Sequence, residues 1–297
     1  MGDEMAEYTA DVLVEGRYFC EAPRWHDDRF WFSDFYAHEV CSVDLDGNVR
    51  VEFTLDDQPS GLGWLADGRL LVVAMTSRRV LRREHDGSLV EHADLSDIAT
   101  FHTNDMLVDA DGRAYVGNFG FDLDSMLTEV GVEGLLAALA SDPTPYRAAL
   151  AAVEPDGSTH VAEPDMAFPN GMVLLDGGAT LVAAQTLGFE LTAFDRGADG
   201  SLSNRRTWAP LGDHMIAPDG IAADGRGGIW VANALGPVAV RVEEGGAITD
   251  TVHASRNVYA CAVGGPDGRH LLLCTAVSSE ALVAANNRDG RLELVEL

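Results

Sequence analysis

Four oxygen-bearing side chains stand at the same position of a repeated sequence unit. Glu21, Asn104, Asn170 and Asp219 each open one copy of a unit that is about 40 residues long. Two carboxylates and two amide carbonyls are hard oxygen donors, which suit calcium, magnesium or manganese and suit a soft metal poorly. If the fold brings the opening positions together, these residues predict a site for a divalent metal ion.

A structural role is the alternative for the same residues. Polar side chains at the start of a strand can cap the strand end and bind water in a channel. Asp105 adjoins Asn104 and belongs either to the donor set or to the wall of its sheet. The residue types alone leave these interpretations open.

The elements that must position these donors are short β-strands joined by tight turns. Eleven Asp-Gly dipeptides, most of them flanked by runs of Val, Leu, Ile and aromatic residues, are a strong local signal for hairpins. Six second strands recur in register as FWFSD, LLVVA, AYVGN, LVAAQ, IWVAN and LLLCT, and their units open at Glu21, Ser60, Asn104, Asn170, Asp219 and Tyr259. This pattern predicts an all-β fold, a six-bladed β-propeller whose first strands line a central channel. A β-sandwich or barrel would not require such recurrence.

One repeat carries an insertion between Asp122 and Ala149. Its apolar residues recur near helical spacing and a Ser-Asp-Pro-Thr-Pro run ends the pattern, which predicts one or two short helices in the third blade. Insertions in repeat folds often lie on the binding face, so we expect segment 122–149 to form a lid over one mouth of the channel. Leu135 and Leu136 are the lid residues expected to contact a substrate.

The remaining pattern predicts one propeller domain over residues 1–297, because no linker interrupts the repeats. Residues 8–16 precede the first blade and are rich in strand-forming residues. We expect this segment to pair with the last blade and close the ring.

Charge restricts the partners of the protein. The 20 cationic residues, all of them arginine, stand against 48 acidic ones and give a net charge of −28. Such a surface repels nucleic acid and anionic lipid, so we expect neither as a partner. The acidic start MGDEMAEYTA and the lack of a membrane-length apolar run predict a cytoplasmic protein. The oligomeric state is not indicated by the sequence.

Five motifs follow one another at successive blade starts. They are Glu21-Ala22-Pro23 with the FWFSD strand, Asn104-Asp105, Pro169-Asn170-Gly171-Met172, Pro218-Asp219-Gly220-Ile221 and the closing segment 261–269. In this order they resemble the regucalcin, gluconolactonase and luciferin-regenerating enzyme family, the senescence marker protein family. The resemblance covers nearly the whole chain and implies a six-bladed propeller with a divalent metal ion in its channel.

The resemblance also implies roles for individual residues. Glu21, Asn170 and Asp219 are expected to hold the ion, and Asn104 either completes the metal shell or binds substrate. Calcium is the expected ion, with magnesium, manganese or zinc as alternatives. Typical members hydrolyse sugar lactones and related cyclic esters, so the predicted activity is that of a lactonase, a gluconolactonase-like carboxylic ester hydrolase.

The donor set suggests how such a reaction would proceed. A divalent ion with open positions polarises a lactone carbonyl and activates water, and Asp219 is the candidate catalytic base. Two other functions stay open: a phosphotriesterase-like hydrolase on the same scaffold, and a non-catalytic propeller that binds calcium or a partner. In either hydrolase the partner is a small-molecule substrate.

Two positions depart from the family pattern. His102 stands two residues before Asn104-Asp105, where sugar-lactone members usually place an arginine that binds substrate hydroxyls. We expect Asn104, His102 and Asp105 to contact substrate, and we expect a lactone that is less hydroxylated than a sugar. Ala22 stands where the family commonly has glycine, which changes the freedom of the backbone beside Glu21.

Overall fold

The computed structural model describes residues 5–297 and places them in a six-bladed β-propeller. Two N-terminal strands, β1 (Ala6–Thr9) and β2 (Asp11–Arg17), precede the first blade. From the innermost strand outward, the first three blades consist of β3 (Cys20–His26), β4 (Arg29–Asp34), β5 (Glu39–Val43) and β6 (Val49–Thr54); β7 (Pro59–Trp64), β8 (Leu70–Ala74), β9 (Arg79–Arg83) and β10 (Leu89–Asp94); and β11 (Thr103–Val108), β12 (Ala114–Asn118), β13 (Ala148–Val153) and β14 (Thr159–Met166).

The last three blades repeat this order. They consist of β15 (Pro169–Leu175), β16 (Thr180–Gln185), β17 (Glu190–Arg196) and β18 (Leu202–Pro210); β19 (Pro218–Ala223), β20 (Ile229–Asn233), β21 (Val238–Val242) and β22 (Ile248–His253); and β23 (Asn257–Gly264), β24 (His270–Ala276) and β25 (Gly290–Glu296). The predicted fold class is therefore confirmed, and the six predicted second strands are β4, β8, β12, β16, β20 and β24.

The apolar core lies between neighbouring blades. Val182 of blade 4 and Val231 of blade 5 belong to one buried cluster, and Trp230 of blade 5 and Leu271 of blade 6 belong to the next. Because the second strands are covered on both faces, they read as nearly continuous apolar runs. The innermost strands are then free to present polar side chains to the channel.

The N-terminal strands close the ring, with one correction to the prediction. Strand β2 pairs antiparallel with β25 and completes blade 6, as expected for the end of the chain. Tyr8 and Thr9, however, belong to β1, which pairs in parallel with β22 as a fifth strand of blade 5. The backbone N–H of Ala10 donates to the carbonyl of His253 at 2.9 Å, so the chain crosses to blade 6 only after Ala10.

The insertion forms helix α1 (Leu123–Ser141) between β12 and β13 of the third blade, as predicted. Asp122 caps its start by accepting from the Ser125 N–H at 2.9 Å. Gly131 has φ 68° and divides α1 into two helical pieces. A second short helix, α2 (Ala281–Ala284), lies between β24 and β25. Neither helix of the described residues has the length and apolarity needed to cross a membrane.

Each innermost strand carries a β-bulge beside its opening residue, as in β3 between Glu21 and Arg24. Bulges bend a strand and redirect its side chains. The glycines of the Asn-Gly and Asp-Gly motifs permit close approach: a Cβ on Gly171 would lie 2.5 Å from the Ile221 nitrogen, and one on Gly220 would lie 2.7 Å from the Ala260 Cα. The absence of a side chain at Gly171 and Gly220 therefore lets the innermost strands approach closely beside Asn170 and Asp219.

Candidate functional site

The four predicted donors lie on the wall of one cavity of about 430 Å³. Glu21, Asn104, Asn170 and Asp219 are all buried, and each comes from the innermost strand of a different blade. We call these four residues the donor cluster. The fold therefore brings together side chains that are up to 198 residues apart in the chain, from position 21 to position 219.

Polar residues at the ends of second strands hold the backbone that leads into the donors. Asp34 ends β4 and accepts from the Phe19 N–H at 3.1 Å, two residues before Glu21. Asn233 ends β20 and accepts from the Ala217 N–H at 3.1 Å, two residues before Asp219. These bonds fix the approach to each donor, and their signal in the sequence is the polar residue that closes an otherwise apolar strand.

A chain of hydrogen bonds fixes the two amide groups. Ser60 Oγ donates to Asn104 Oδ1 at 3.2 Å, and Asn104 Nδ2 donates to Asn170 Oδ1 at 3.0 Å. Asn170 Nδ2 donates to Thr186 Oγ1 at 3.1 Å, and Thr186 Oγ1 donates to the Pro218 carbonyl at 2.8 Å. Because both Asn170 and Asn104 direct their amide N–H groups into this chain, their orientation is set. Ser60 is one of the six predicted opening residues, but no sequence pattern predicts its hydrogen bond to Asn104, and none points to Thr186.

Burial raises the pKa of both carboxyl groups in the donor cluster. The pKa of Glu21 is raised to about 8, first by burial and then by the charge of Asp105, although the Ala22 N–H donates to Glu21 Oε2 at 3.0 Å. The pKa of Asp219 is raised well above its ordinary value by burial and by the charges of Glu21 and Asp105. Two buried carboxyls that resist ionisation are stabilised in the charged form by a nearby cation.

The part of the chain that the structure describes places no such cation at the cavity wall. Among the described residues that line the cavity, none is Arg, Lys or His. Arg24 lies nearby, but it is engaged in an ion pair with Asp105 at 2.7 Å and donates to the Met106 carbonyl at 2.7 Å. The charge of Arg24 is therefore paired with that of Asp105.

The donor set fits a hard divalent cation. Two carboxylates balance a charge of +2, and two amide carbonyls add neutral oxygen ligands of the kind that calcium accepts. Within residues 5–297 no three His, Cys, Asp or Glu side chains gather as a metal-binding group. Any ion in the cavity therefore depends on the amides of Asn104 and Asn170 as well as on the two carboxylates.

Two predicted substrate contacts lie off the cavity wall. The side chain of Asp105 points to Arg24, because side chains alternate along a strand and its neighbour Asn104 faces the cavity. The ring of His102 stacks on Phe101 with centroids 4.1 Å apart, and burial lowers its pKa. The structure brings neither residue to the cavity, and Asp105 acts on the donor cluster through its charge.

The rest of the wall is mainly apolar. Leu135 and Leu136 of α1 line the cavity, as do Leu127 and Val132 from the same helix. Aromatic rings complete the wall, including Phe19, Phe35, Phe119, Phe168 and Tyr259. The helical insertion and the opening residue Tyr259 are predictable from the sequence, whereas no sequence pattern points to the other rings.

The raised pKa of Glu21 predicts that stability falls with rising pH when no metal is bound. Between its ordinary value of 4.5 and its folded value of about 8, Glu21 holds a proton in the folded chain that the unfolded chain has lost. The stabilisation that this proton provides is complete below the pKa of Glu21 in the unfolded chain. It is lost as the pH rises through the pKa of Glu21 in the folded chain, and the free energy of unfolding falls by up to about 1.4 kcal/mol per pH unit. Urea unfolding of chelator-treated protein between these pH values measures how the free energy of unfolding depends on pH. This dependence should be weaker in Glu21→Gln. If it is equally steep in the variant, Glu21 is not its source.

Comparison with known proteins places the chain in a family. The family model described as the SMP-30/Gluconolactonase/LRE-like region matches residues 19–277. Regucalcin of Xenopus laevis is 26% identical over 271 residues, which cover 89% of this chain and 85% of that protein.

Solved structures share the fold. The luciferin-regenerating enzyme superposes with a TM-score of 0.78 at 19% identity, covering 97% of this chain and 95% of that one. A calcium-binding regucalcin from Agrobacterium tumefaciens gives 0.76 at 20% identity, with 98% and 95% covered. A gluconolactonase from Xanthomonas campestris gives 0.71 at 20% identity, with 97% and 90% covered. With the family match over most of its length, the chain belongs to the SMP-30/gluconolactonase/LRE-like family.

Proposed function

We propose that this protein hydrolyses lactones with the help of one divalent metal ion, with calcium as the expected ion. The observation that carries the proposal is the convergence of two buried carboxylates and two amides in a cavity whose wall has no basic residue among those described. Family membership supports the same reaction class.

Glu21, Asn170 and Asp219 would hold the ion, and Asn104 would complete the set or orient the substrate. A divalent ion bound there would polarise the lactone carbonyl and lower the pKa of a water molecule. Ser60 and Thr186 keep the amide oxygens of their partners in place through the hydrogen bonds described above.

Asp219 is the residue proposed to move the proton. Its carboxylate accepts a proton from the attacking water, whose oxygen bonds to the carbonyl carbon. The ring C–O bond then breaks, and the ring oxygen takes the proton that Asp219 had accepted and leaves as a hydroxyl group, so Asp219 returns to its carboxylate form. Burial and neighbouring charge raise the pKa of Asp219 in the metal-free chain, and a divalent ion bound beside it would hold the group as the carboxylate that accepts the proton.

A substrate panel tests the reaction class. Aliphatic lactones, a sugar lactone and a phosphotriester are assayed with native protein, with chelator-treated protein and after calcium is restored. We expect lactone turnover that disappears on chelation and returns with calcium. Turnover that survives chelation contradicts the metal mechanism, and turnover of the phosphotriester alone supports the phosphotriesterase-like alternative instead.

We further propose that α1 acts as a lid that sets the size of the substrate. Leu136→Ala removes apolar contact area from the wall, so KM for a lactone with a long alkyl chain should rise by about tenfold. KM for an unsubstituted small lactone should change little. Leu139→Ala is the matched control, because Leu139 lies on the same helix but not on the cavity wall. If the unchanged protein, Leu136→Ala and Leu139→Ala have the same KM for each lactone, α1 does not select the substrate.

A further inference from the structure

The cavity wall carries charges of one sign only. Glu21 and Asp219 are buried in the donor cluster, whereas Asp124 of α1 and Glu280 before α2 lie on the wall and are partly exposed. No described wall residue carries a positive charge. When a divalent ion balances the first pair, the second pair still leaves a negative field in the cavity.

Asp124 and Glu280 come from different parts of the chain and meet at one place. The N–H of Ala281 donates to Asp124 Oδ1 at 3.4 Å, which ties the start of α1 to the start of α2 beside Glu280. His102 faces Asp124 from its own loop, but burial lowers the pKa of His102, so it adds no positive charge at neutral pH. Within residues 5–297, no basic side chain on the cavity wall neutralises these two carboxylates.

This side of the cavity is also its open side. Val277 and Leu235 line the cavity and are 56% and 37% exposed, respectively. Between these residues and the donor cluster the wall is aromatic and aliphatic, with Phe35 and Leu136 among its members. A ligand that fills this space extends from an apolar mouth, beside the carboxylates of Asp124 and Glu280, to the buried donor cluster.

Lactone hydrolysis changes the charge of the ligand. Water and a neutral lactone give a hydroxy acid, in which the water oxygen has bonded to the carbonyl carbon and the ring oxygen has become a hydroxyl. The new carboxylic acid then loses a proton at neutral pH, because carboxyl groups of this type ionise near pH 4. Once the two carboxylates of the donor cluster balance the ion, the described wall residues offer no positive charge to an anionic substrate or to this anionic product.

We propose that the cavity selects ligands by charge: it takes an uncharged lactone with a hydrocarbon substituent, and Asp124 and Glu280 repel the hydroxy acid anion that hydrolysis forms. The inference rests on the proposed function and deepens it by naming the substrate class and two residues that favour product release. Lactones that carry a carboxylate or a phosphate are poor substrates for the same reason.

A pair of ligands that differ in charge tests the proposal without turnover. Octanoate and octanamide have the same chain and nearly the same shape, and their affinities are measured by calorimetry with calcium saturating in every sample. The double variant Asp124→Asn with Glu280→Gln removes both charges, and Asn keeps the oxygen that accepts from Ala281. We expect the affinity for octanoate relative to octanamide to rise by about fivefold, and by less at high salt.

The matched control is Glu129→Gln with Glu133→Gln, which removes the same charge from the exposed face of α1 outside the cavity wall. Its ligand preference should equal that of the unchanged protein. An equal preference in all three proteins overturns the role of Asp124 and Glu280. Failure of octanamide to bind overturns the choice of an uncharged apolar ligand. If no lactone is hydrolysed, the proposed function fails, whereas the binding comparison still decides the charge selection.

Discussion

Asp219→Asn should lower kcat for lactone hydrolysis, measured with calcium saturating, by about a thousandfold, and it should weaken calcium binding by about as much as Glu21→Gln does, because it too leaves one carboxylate beside the ion. The amide oxygen of Asn remains a metal ligand of the same size, but it cannot accept a proton from water. The variant therefore separates the two roles proposed for Asp219. Steady-state kinetics on the best lactone of the panel and calorimetric titration with calcium measure them independently.

Asp213→Asn is the control for this experiment. Asp213 is exposed and lies outside the cavity wall, so the variant has the same change in net charge without a change in the donor cluster. Its kcat and its calcium affinity should match those of the unchanged protein. An unchanged kcat in Asp219→Asn with calcium saturating would make Asp219 a ligand only.

Glu21→Gln is expected to reduce calcium affinity by about a hundredfold or more, with loss of activity at ordinary calcium concentrations. The reason is electrostatic: the substitution leaves one carboxylate against a charge of +2 in a buried site, where charges interact strongly. Raised calcium should restore part of the activity, because Asp219 is still present. Calcium titration followed by calorimetry and by turnover measures both effects.

Glu129→Gln serves as the control, because Glu129 is exposed on α1 and does not line the cavity. If Glu21→Gln binds calcium as tightly as the unchanged protein, the ion is not held by the donor cluster. Activity that persists in Glu21→Gln after chelation would exclude the metal mechanism altogether.

Arg24 shows how one structural contact affects both predictions. It neutralises the charge of Asp105 through an ion pair at 2.7 Å, and its own charge opposes the rise in the pKa of Glu21. Without this pair, Asp105 would raise the pKa values of Glu21 and Asp219 further. Arg24 directly follows the Glu21-Ala22-Pro23 motif, but nothing in the sequence predicts that it pairs with Asp105, 81 positions away.

The propeller and its opening residues could be predicted because their signals are local. Asp-Gly turns, short apolar strands and the polar residue at each blade start repeat along the chain, and strand pairing within a blade joins sequence neighbours. Helix α1 was predictable for the same reason, since apolar spacing and the breaker after Ser141 lie within one segment. The split of segment 8–16 was not, because β1 and β2 pair with strands from the far end of the chain.

The orientation of individual side chains was less predictable than their position. Asn104 and Asp105 are adjacent in sequence, yet one faces the cavity and the other faces Arg24. Which of two neighbours faces inward depends on the alternation along the strand and on the bulge in it, and pairing with the second strand creates that bulge. His102 lies just before the strand, where alternation gives no direction.

Short-range pattern and residue chemistry suffice to predict the blade repeat, the strand order within blades, the place of the helical insertion and the oxygen donors at four blade starts. Which groups meet depends on the packing of the blades. This packing joined the two amides through Ser60 and Thr186, raised the pKa values of Glu21 and Asp219 by burial, and built a cavity wall from apolar residues and carboxylates with no described basic residue. These properties depend on burial and on contacts between blades, and both arise only when distant segments pack around one axis.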